Sequence, residues 1–161
     1  MKVCVFAGTF DPITNGHVFV IDKCLEMFDK VIVALGVNQD KKPMFSLEQR
    51  KKMISLVYEN QPRVEVAEFN GMLVDFMKEK GVKINVRGIR DLDDYKYENT
   101  MERYNRDMYN EMITIYVPTP KELVHISSSA MRNILNIGGD ASEYLPKQIL
   151  QVIKAEKSNK K

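Results

Sequence analysis

Apolar residues recur along this chain in two alternating rhythms. Short apolar runs read as strands: residues 2–7, Val31–Val37, Arg63–Glu68, Val82–Val86 and Ile113–Val117. Between them apolar positions fall three or four apart, the spacing of one helical face. Residues 16–28 place Val18, Ile21, Leu25 and Phe28 on one such face. Ser46-Leu47-Glu48-Gln49 is a capping-box signature that opens a helix running to Tyr58. Met72–Lys80 reads as a short helix stopped by Gly81, and Leu92–Asn110 as a long polar one. Ser127–Ile137 is a helix ended by Gly138-Gly139, and Leu145–Glu156 is the last.

Strands that alternate with helices imply parallel β-α-β units joined by right-handed crossovers. The expected fold is α/β: a Rossmann-like five-stranded parallel sheet with helices on both faces and C-terminal helices. No repeat or linker divides the chain, so residues 1–157 read as a single domain and 158–161 as a frayed basic tail. In such sheets a ligand lies beyond the carboxyl ends of the strands, where strand order reverses. The loops after strands one and four are therefore where chemistry is expected.

Composition narrows the classes. The 161 residues suit one domain with a sizeable core, and 44% hydrophobic with 29% charged is ordinary for a globular protein. Lys+Arg 24 against Asp+Glu 22 lacks the basic excess of a dedicated nucleic-acid binder, while leaving room for a local basic pocket. Cys4 and Cys24 have neither metal-ligand nor C-x-x-C spacing and read as buried free thiols of a reducing compartment. No apolar run reaches membrane-spanning length, and the first residues are a strand rather than a signal peptide. A cytoplasmic location with no membrane partner is expected.

Strand one runs into Gly8-Thr9-Phe10-Asp11-Pro12, followed by a helix with His17 in its first turn. A helix N-terminus offers unpaired N–H groups and a positive dipole end, and phosphate binds there readily. An imidazole at that point can donate to a phosphate oxygen. Gly8 lets a ligand approach the backbone, and Thr9 adds a hydroxyl. The stretch is neither G-x-G-x-x-G nor a P-loop, which argues against hydride transfer and P-loop kinase chemistry. Asp11 and Asn15 read as ordinary turn or cap residues. His17, a poor core residue beside a glycine turn, reads as functional.

After strand four, Arg87, Gly88 and Arg90 offer guanidinium forks for phosphate oxygens. The plain alternative is a surface ion pair with Asp91, Asp93 or Asp94. Further on, Ser127-Ser128-Ser129 opens another helix with Arg132 in its next turn. A cap needs one serine; three suggest a second anion cradle. His125, just before them, reads as a packing or surface residue. Lys41-Lys42 sits in a polar loop and alone carries little signal. The helix with Tyr95, Tyr97, Glu98, Tyr104 and Tyr109 reads as a packing or subunit surface. No serine or cysteine has a base and an orienting acid, and two histidines with no close Cys or carboxylate cluster argue against a zinc site. What remains is transfer between bound phosphates, achieved by positioning and charge stabilisation.

Thr14-Asn15-Gly16-His17 resembles the T/H-x-x-H signature of the nucleotidyltransferase superfamily, and Ile126-Ser127-Ser128-Ser129-Ala130-Met131-Arg132 resembles its second signature, I-S-S-[ST]-x-x-R. Lys41-Lys42-Pro43-Met44-Phe45, Val86-Arg87-Gly88-Ile89-Arg90 and Tyr97-Glu98 are similar to the phosphopantetheine adenylyltransferases in particular. The resemblance spans nearly the whole chain. It implies transfer of the adenylyl group of ATP to 4′-phosphopantetheine with Mg²⁺, giving dephospho-coenzyme A and pyrophosphate. It implies that His17 stabilises the transition state and that Thr9 touches both substrates. Lys41 and Arg87 would hold the pantetheine phosphate, and Leu73 would line the pantetheine arm. Phe10, His17, Gly88, Ile89, Arg90, Glu98 and the segment Leu123, Val124, His125, Ile126, Ser127, Ser128 and Ser129 would bind ATP. No protein metal ligand is implied, Mg²⁺ being carried mainly by ATP phosphates, and a homohexamer is. Glu122–Ile126 lacks the aromatic residues that often precede the serine run. The competing readings are another small nucleotidyltransferase, such as a nicotinamide-mononucleotide adenylyltransferase or a glycerol-phosphate cytidylyltransferase, and a non-catalytic nucleotide-sensing module.

Overall fold

A computed structural model describes residues 1–37 and 42–159. In chain order the elements are β1 Val3–Gly8, α1 Asn15–Met27, β2 Lys30–Val37, α2 Leu47–Val57, β3 Val64–Asn70 and α3 Leu73–Glu79. Then come β4 Ile84–Ile89, α4 Leu92–Met108, β5 Ile113–Pro118, α5 Ser128–Asn136, a 3₁₀ turn Lys147–Ile149 and α6 Leu150–Asn159. The five strands form one parallel sheet in the order β3-β2-β1-β4-β5. The expected α/β fold is the one observed.

Strand alternation explains the two layers. On β1 and β2, Cys4, Phe6, Val31, Val33 and Leu35 point to the larger core, shared with Ile21 and Cys24 of α1, Met53 and Ile54 of α2, Met131 of α5 and Ile153 of α6. Val5, Ala7, Ile32 and Ala34 point the other way, against Val74, Phe76 and Met77 of α3. Burial on both faces is why these strands read as continuous apolar runs. In α1 the deepest residues are Val20, Ile21 and Cys24, so the buried stripe is rotated from the Val18–Leu25 line that spacing suggested; those two pack at its margin.

Strand order reverses between β1 and β4, and there the two strands part company. β1 pairs with β4 only through Cys4, Val5 and Phe6, opposite Ile84, Asn85 and Val86. β4 continues alone against β5, with Arg87 opposite Tyr116, Gly88 opposite Val117 and Ile89 opposite Pro118. Arg87 and Gly88, expected in a loop after the strand, are therefore strand residues. The ladder with β5 extends β4 past the boundary that apolar content alone suggested. Pro118 ends β5 on the outer edge of the sheet, where a missing N–H is tolerated. Gly88 is required for packing: a Cβ there would lie 2.9 Å from Cγ2 of Val20, so only glycine lets α1 approach β4 this closely.

Candidate active site

The crevice beyond β1 and β4 is a cleft of about 450 Å³. Its walls come from the loop after β1 (Gly8, Thr9, Phe10, Asp11), the start of α1 (Thr14, Gly16, His17) and the end of β4 (Arg87, Gly88, Arg90). Leu123, Ile126, Ser127, Ser128 and Ser129 close it from the turn that leads into α5. Two helix N-termini thus meet in one cavity, the arrangement that favours anions.

His17 is held by the helix it helps to start. Thr14 is the N-cap of α1 and His17 its third residue. The Thr14 backbone N–H donates to Nδ1 of His17 at 3.0 Å, and the His17 N–H donates to Oγ1 of Thr14 at 3.4 Å. This is a capping box with histidine in the place usually held by Glu or Gln. Because Nδ1 accepts from a backbone amide, the ring proton sits on Nε2. Burial, with Arg87 and Arg90 nearby, pushes the imidazole down from 6.5 to about 4. His17 is therefore neutral at pH 7 and still a donor. Phe10, at φ 49° with its side chain buried, sets its ring edge-on against the imidazole, with centroids 4.9 Å apart. The Phe10 side chain thus braces His17 and packs over Gly8, where a Cβ would lie 3.1 Å from the ring.

The arginines at and just after the end of β4 are already partnered. Arg87 donates to the Ala7 carbonyl at 2.5 Å and pairs with the Glu98 carboxylate of α4. Arg90 forms a forked pair with Asp94, at 2.8 and 3.1 Å. That hydrogen bond raises the Arg90 pKa and lowers the Asp94 pKa. The ion-pair alternative for Arg90 and its place in the cleft are thus both realised. Each of the three serines has its own task. Ser127 caps α5 by accepting from the Ala130 N–H at 3.1 Å. Ser128 donates to the Pro12 carbonyl at 2.8 Å, and Ser129 accepts from Arg132 at 3.0 Å. Arg132 also donates to the Asp11 carbonyl at 2.8 Å, which ties α5 to the β1 loop.

Some expected residues stand apart from the cleft wall. Ile89 faces the neighbouring surface with Leu92, Tyr95 and Tyr116. His125 is exposed, edge-on to Tyr144, and Val124 is half-buried beside it. Leu73 packs against the smaller core, in the layer of α3. Lys41 lies outside the described residues, whereas Lys42 and Pro43 line the cleft. Thr119, Asp94 and Arg132 also line it. Thr119 follows β5 and could have been found from the strand-end rule alone. Among the described residues no cluster of three or more His, Cys, Asp or Glu side chains converges on a metal position.

Residues 5–134 match the family model described as cytidylyltransferase-like. A phosphopantetheine adenylyltransferase of Clostridium tetani is 40% identical over 161 residues, covering all of both chains. One of Nautilia profundicola is 44% identical over 147 residues, 91% of this chain and 96% of the relative. The chain belongs to the phosphopantetheine adenylyltransferase family. Among solved structures, a bifunctional NMN adenylyltransferase/ADP ribose pyrophosphatase of Francisella tularensis superposes with a TM-score of 0.70 at 21% identity, covering 89% of this chain and 44% of that one. That likeness supports the nucleotidyltransferase fold. In this chain the two signatures recognised in the sequence start α1 and α5, and both starts line the same cleft.

Proposed function

We propose that this cleft transfers the adenylyl group of ATP to 4′-phosphopantetheine, giving dephospho-coenzyme A and pyrophosphate. The observation that carries the reading is the convergence of both helix starts and the Nε2–H of His17 on one cavity, in a chain with full-length kinship to that family. A phosphate monoester has its second pKa near 6, so at pH 7 the acceptor is already a nucleophile and needs no base. An acceptor oxygen attacks the α-phosphorus in line. The bond from α-phosphorus to the bridging oxygen breaks, and pyrophosphate leaves with the electron pair. Neutral His17 donates from Nε2 to a non-bridging α-phosphate oxygen as charge builds there.

Arg87, with Lys41, holds the acceptor phosphate; Thr9 touches both substrates; Leu73, half-buried at the margin of the smaller core and outside the cleft wall, borders the outer part of the pantetheine arm. The backbone at Phe10, Gly88 and Ile89, the side chains of Arg90 and Glu98, and the Leu123–Ser129 turn serve ATP. Mg²⁺ suits this donor set when held through the triphosphate, because Glu98 and Asp94 are each paired with an arginine. Bound there, it would supply charge neutralisation for the pyrophosphate leaving group. Copies of the chain assemble, as a hexamer, through α4 and the β5 edge, where Leu92, Tyr97, Tyr104 and Ile113 are exposed. The test is pyrophosphate release by purified protein with ATP and Mg²⁺, using 4′-phosphopantetheine or nicotinamide mononucleotide as acceptor. Turnover with the first and none with the second is expected. The reverse result, or no turnover with either, refutes the assignment.

A further inference from the structure

Two charged side chains beside the cleft are buried, although neither a turn nor a cap needs buried charge. Asp11 is 3% exposed and Arg50, on α2, is 4% exposed. Burying a charge is costly unless hydrogen bonds compensate it, and here both groups are used on the same stretch of backbone. The Asp11 carboxylate accepts from the N–H of Met44 at 2.8 Å and from the N–H of Phe45 at 2.9 Å. Arg50 donates through Nε to the Phe45 carbonyl at 3.1 Å and through Nη1 to the Thr9 carbonyl at 2.8 Å. Phe45 is therefore gripped at both its N–H and its C=O, and the second arm of Arg50 returns to the β1 loop two residues before Asp11.

The segment so gripped belongs to no helix or strand until α2 begins at Leu47. Immediately before it, Lys42 and Pro43 form one wall of the cleft, and Thr9 forms another. We propose that Asp11 and Arg50 are positioning residues: a buried brace that sets the Lys42 wall at its distance from Thr9 and thereby tunes binding of the acceptor phosphate. This rests on the adenylyl-transfer reading above. Both carboxylate oxygens of Asp11 are spent on that backbone, so the brace acts through the wall it holds and not by its own contact with the phosphate. Asp11 supplies the two acceptors, Arg50 the two donors, and the anchored object is the backbone that carries the Lys42 side chain into the cleft. Arg132 extends the brace toward α5 through the Asp11 carbonyl.

Asp11→Asn keeps the shape but turns an amide NH₂ toward one of two N–H donors; Arg50→Lys keeps the charge but loses the fork. Steady-state kinetics with ATP, Mg²⁺ and 4′-phosphopantetheine test both, each also in a Lys42→Ala background. The expected result is a fall in kcat/KM for 4′-phosphopantetheine on the order of tenfold, carried by KM, as for a sub-ångström misplacement. In the Lys42→Ala background the same substitutions change it by less than about twofold, the non-additivity of residues acting through one another. An unchanged kcat/KM, or an equal fold-loss in both backgrounds accompanied only by a lower Tm, overturns the proposal. If Asp11→Asn does not fold, Arg50→Lys decides by the same criteria. A wild-type protein that turns over beside unaffected variants sinks this inference alone; a wild-type protein that never releases pyrophosphate sinks the functional reading with it.

Discussion

At His17 the fold selects a protonation state before any substrate arrives. A backbone amide occupies Nδ1, and burial beside two guanidinium groups keeps the ring neutral, so the only proton it offers is the one on Nε2. Removing that donor should cost the transition state more than the ground state. His17→Ala should lower kcat by ~10²–10³ with little change in either KM, measured by steady-state pyrophosphate release. The titration has a sign that can be checked. With the folded value near 4 and the ordinary value at 6.5, the unfolded chain binds more protons between these limits, so the neutral ring favours folding above pH 6.5. That contribution is lost as pH falls toward 4. Denaturant melts over this window should show wild-type stability rising with pH more steeply than His17→Gln, and NMR should place the His17 midpoint well below 6.5.

At the level of elements, the caps and strand ends do most of the positioning. Thr14→Ala removes the hydroxyl that caps α1 and should destabilise the protein by about 1 kcal/mol in denaturant melts. Its backbone N–H still reaches Nδ1, so kcat should fall far less than in His17→Ala. Gly88→Ala pushes a methyl group against Val20 and should cost about 1–3 kcal/mol, visible as a lower Tm. How much of this was legible in the sequence depends on the kind of signal. The α2 capping box was readable because Ser46 and Gln49 use the usual letters; the reciprocal box of α1 was not, because its third residue is a histidine. The end of β4 was missed because Arg87 and Gly88 look like loop residues, and only pairing with β5 makes them strand. Asp11 has the letter of a turn residue, and its hold on Met44 and Phe45 is a contact across more than thirty positions that no local pattern encodes. The serine run exceeds what a cap needs, but the separate duty of each hydroxyl, all three bonded to protein groups, appears only when α5 meets the β1 loop.

Over the whole molecule the two faces of the sheet are unequal. One carries α1, α2, α5 and α6 over the larger core; the other carries α3 and α4, and no residue of α4 is buried. Leu92, Tyr97, Tyr104 and Met108 of α4 remain open to solvent, more apolar surface than a lone helix face needs. Sedimentation of the purified protein should therefore give an assembly larger than one chain, and Leu92→Asp with Tyr104→Asp should shift it toward the monomer. A second whole-molecule property follows from the ion pairs of Arg87 and Arg90. Among the described residues lining the cleft, Lys42, Arg87, Arg90 and Arg132 face Asp11, Asp94 and Glu98. The crevice is thus close to electrically balanced, because Arg87 and Arg90 each carry a carboxylate partner. On the adenylyl-transfer proposal, a triphosphate would share or displace the carboxylates of Glu98 and Asp94, entering by exchange of anions and not by simple attraction to bare positive charge. Selectivity would then follow from which anion can satisfy both arginines at once in place of Glu98 and Asp94.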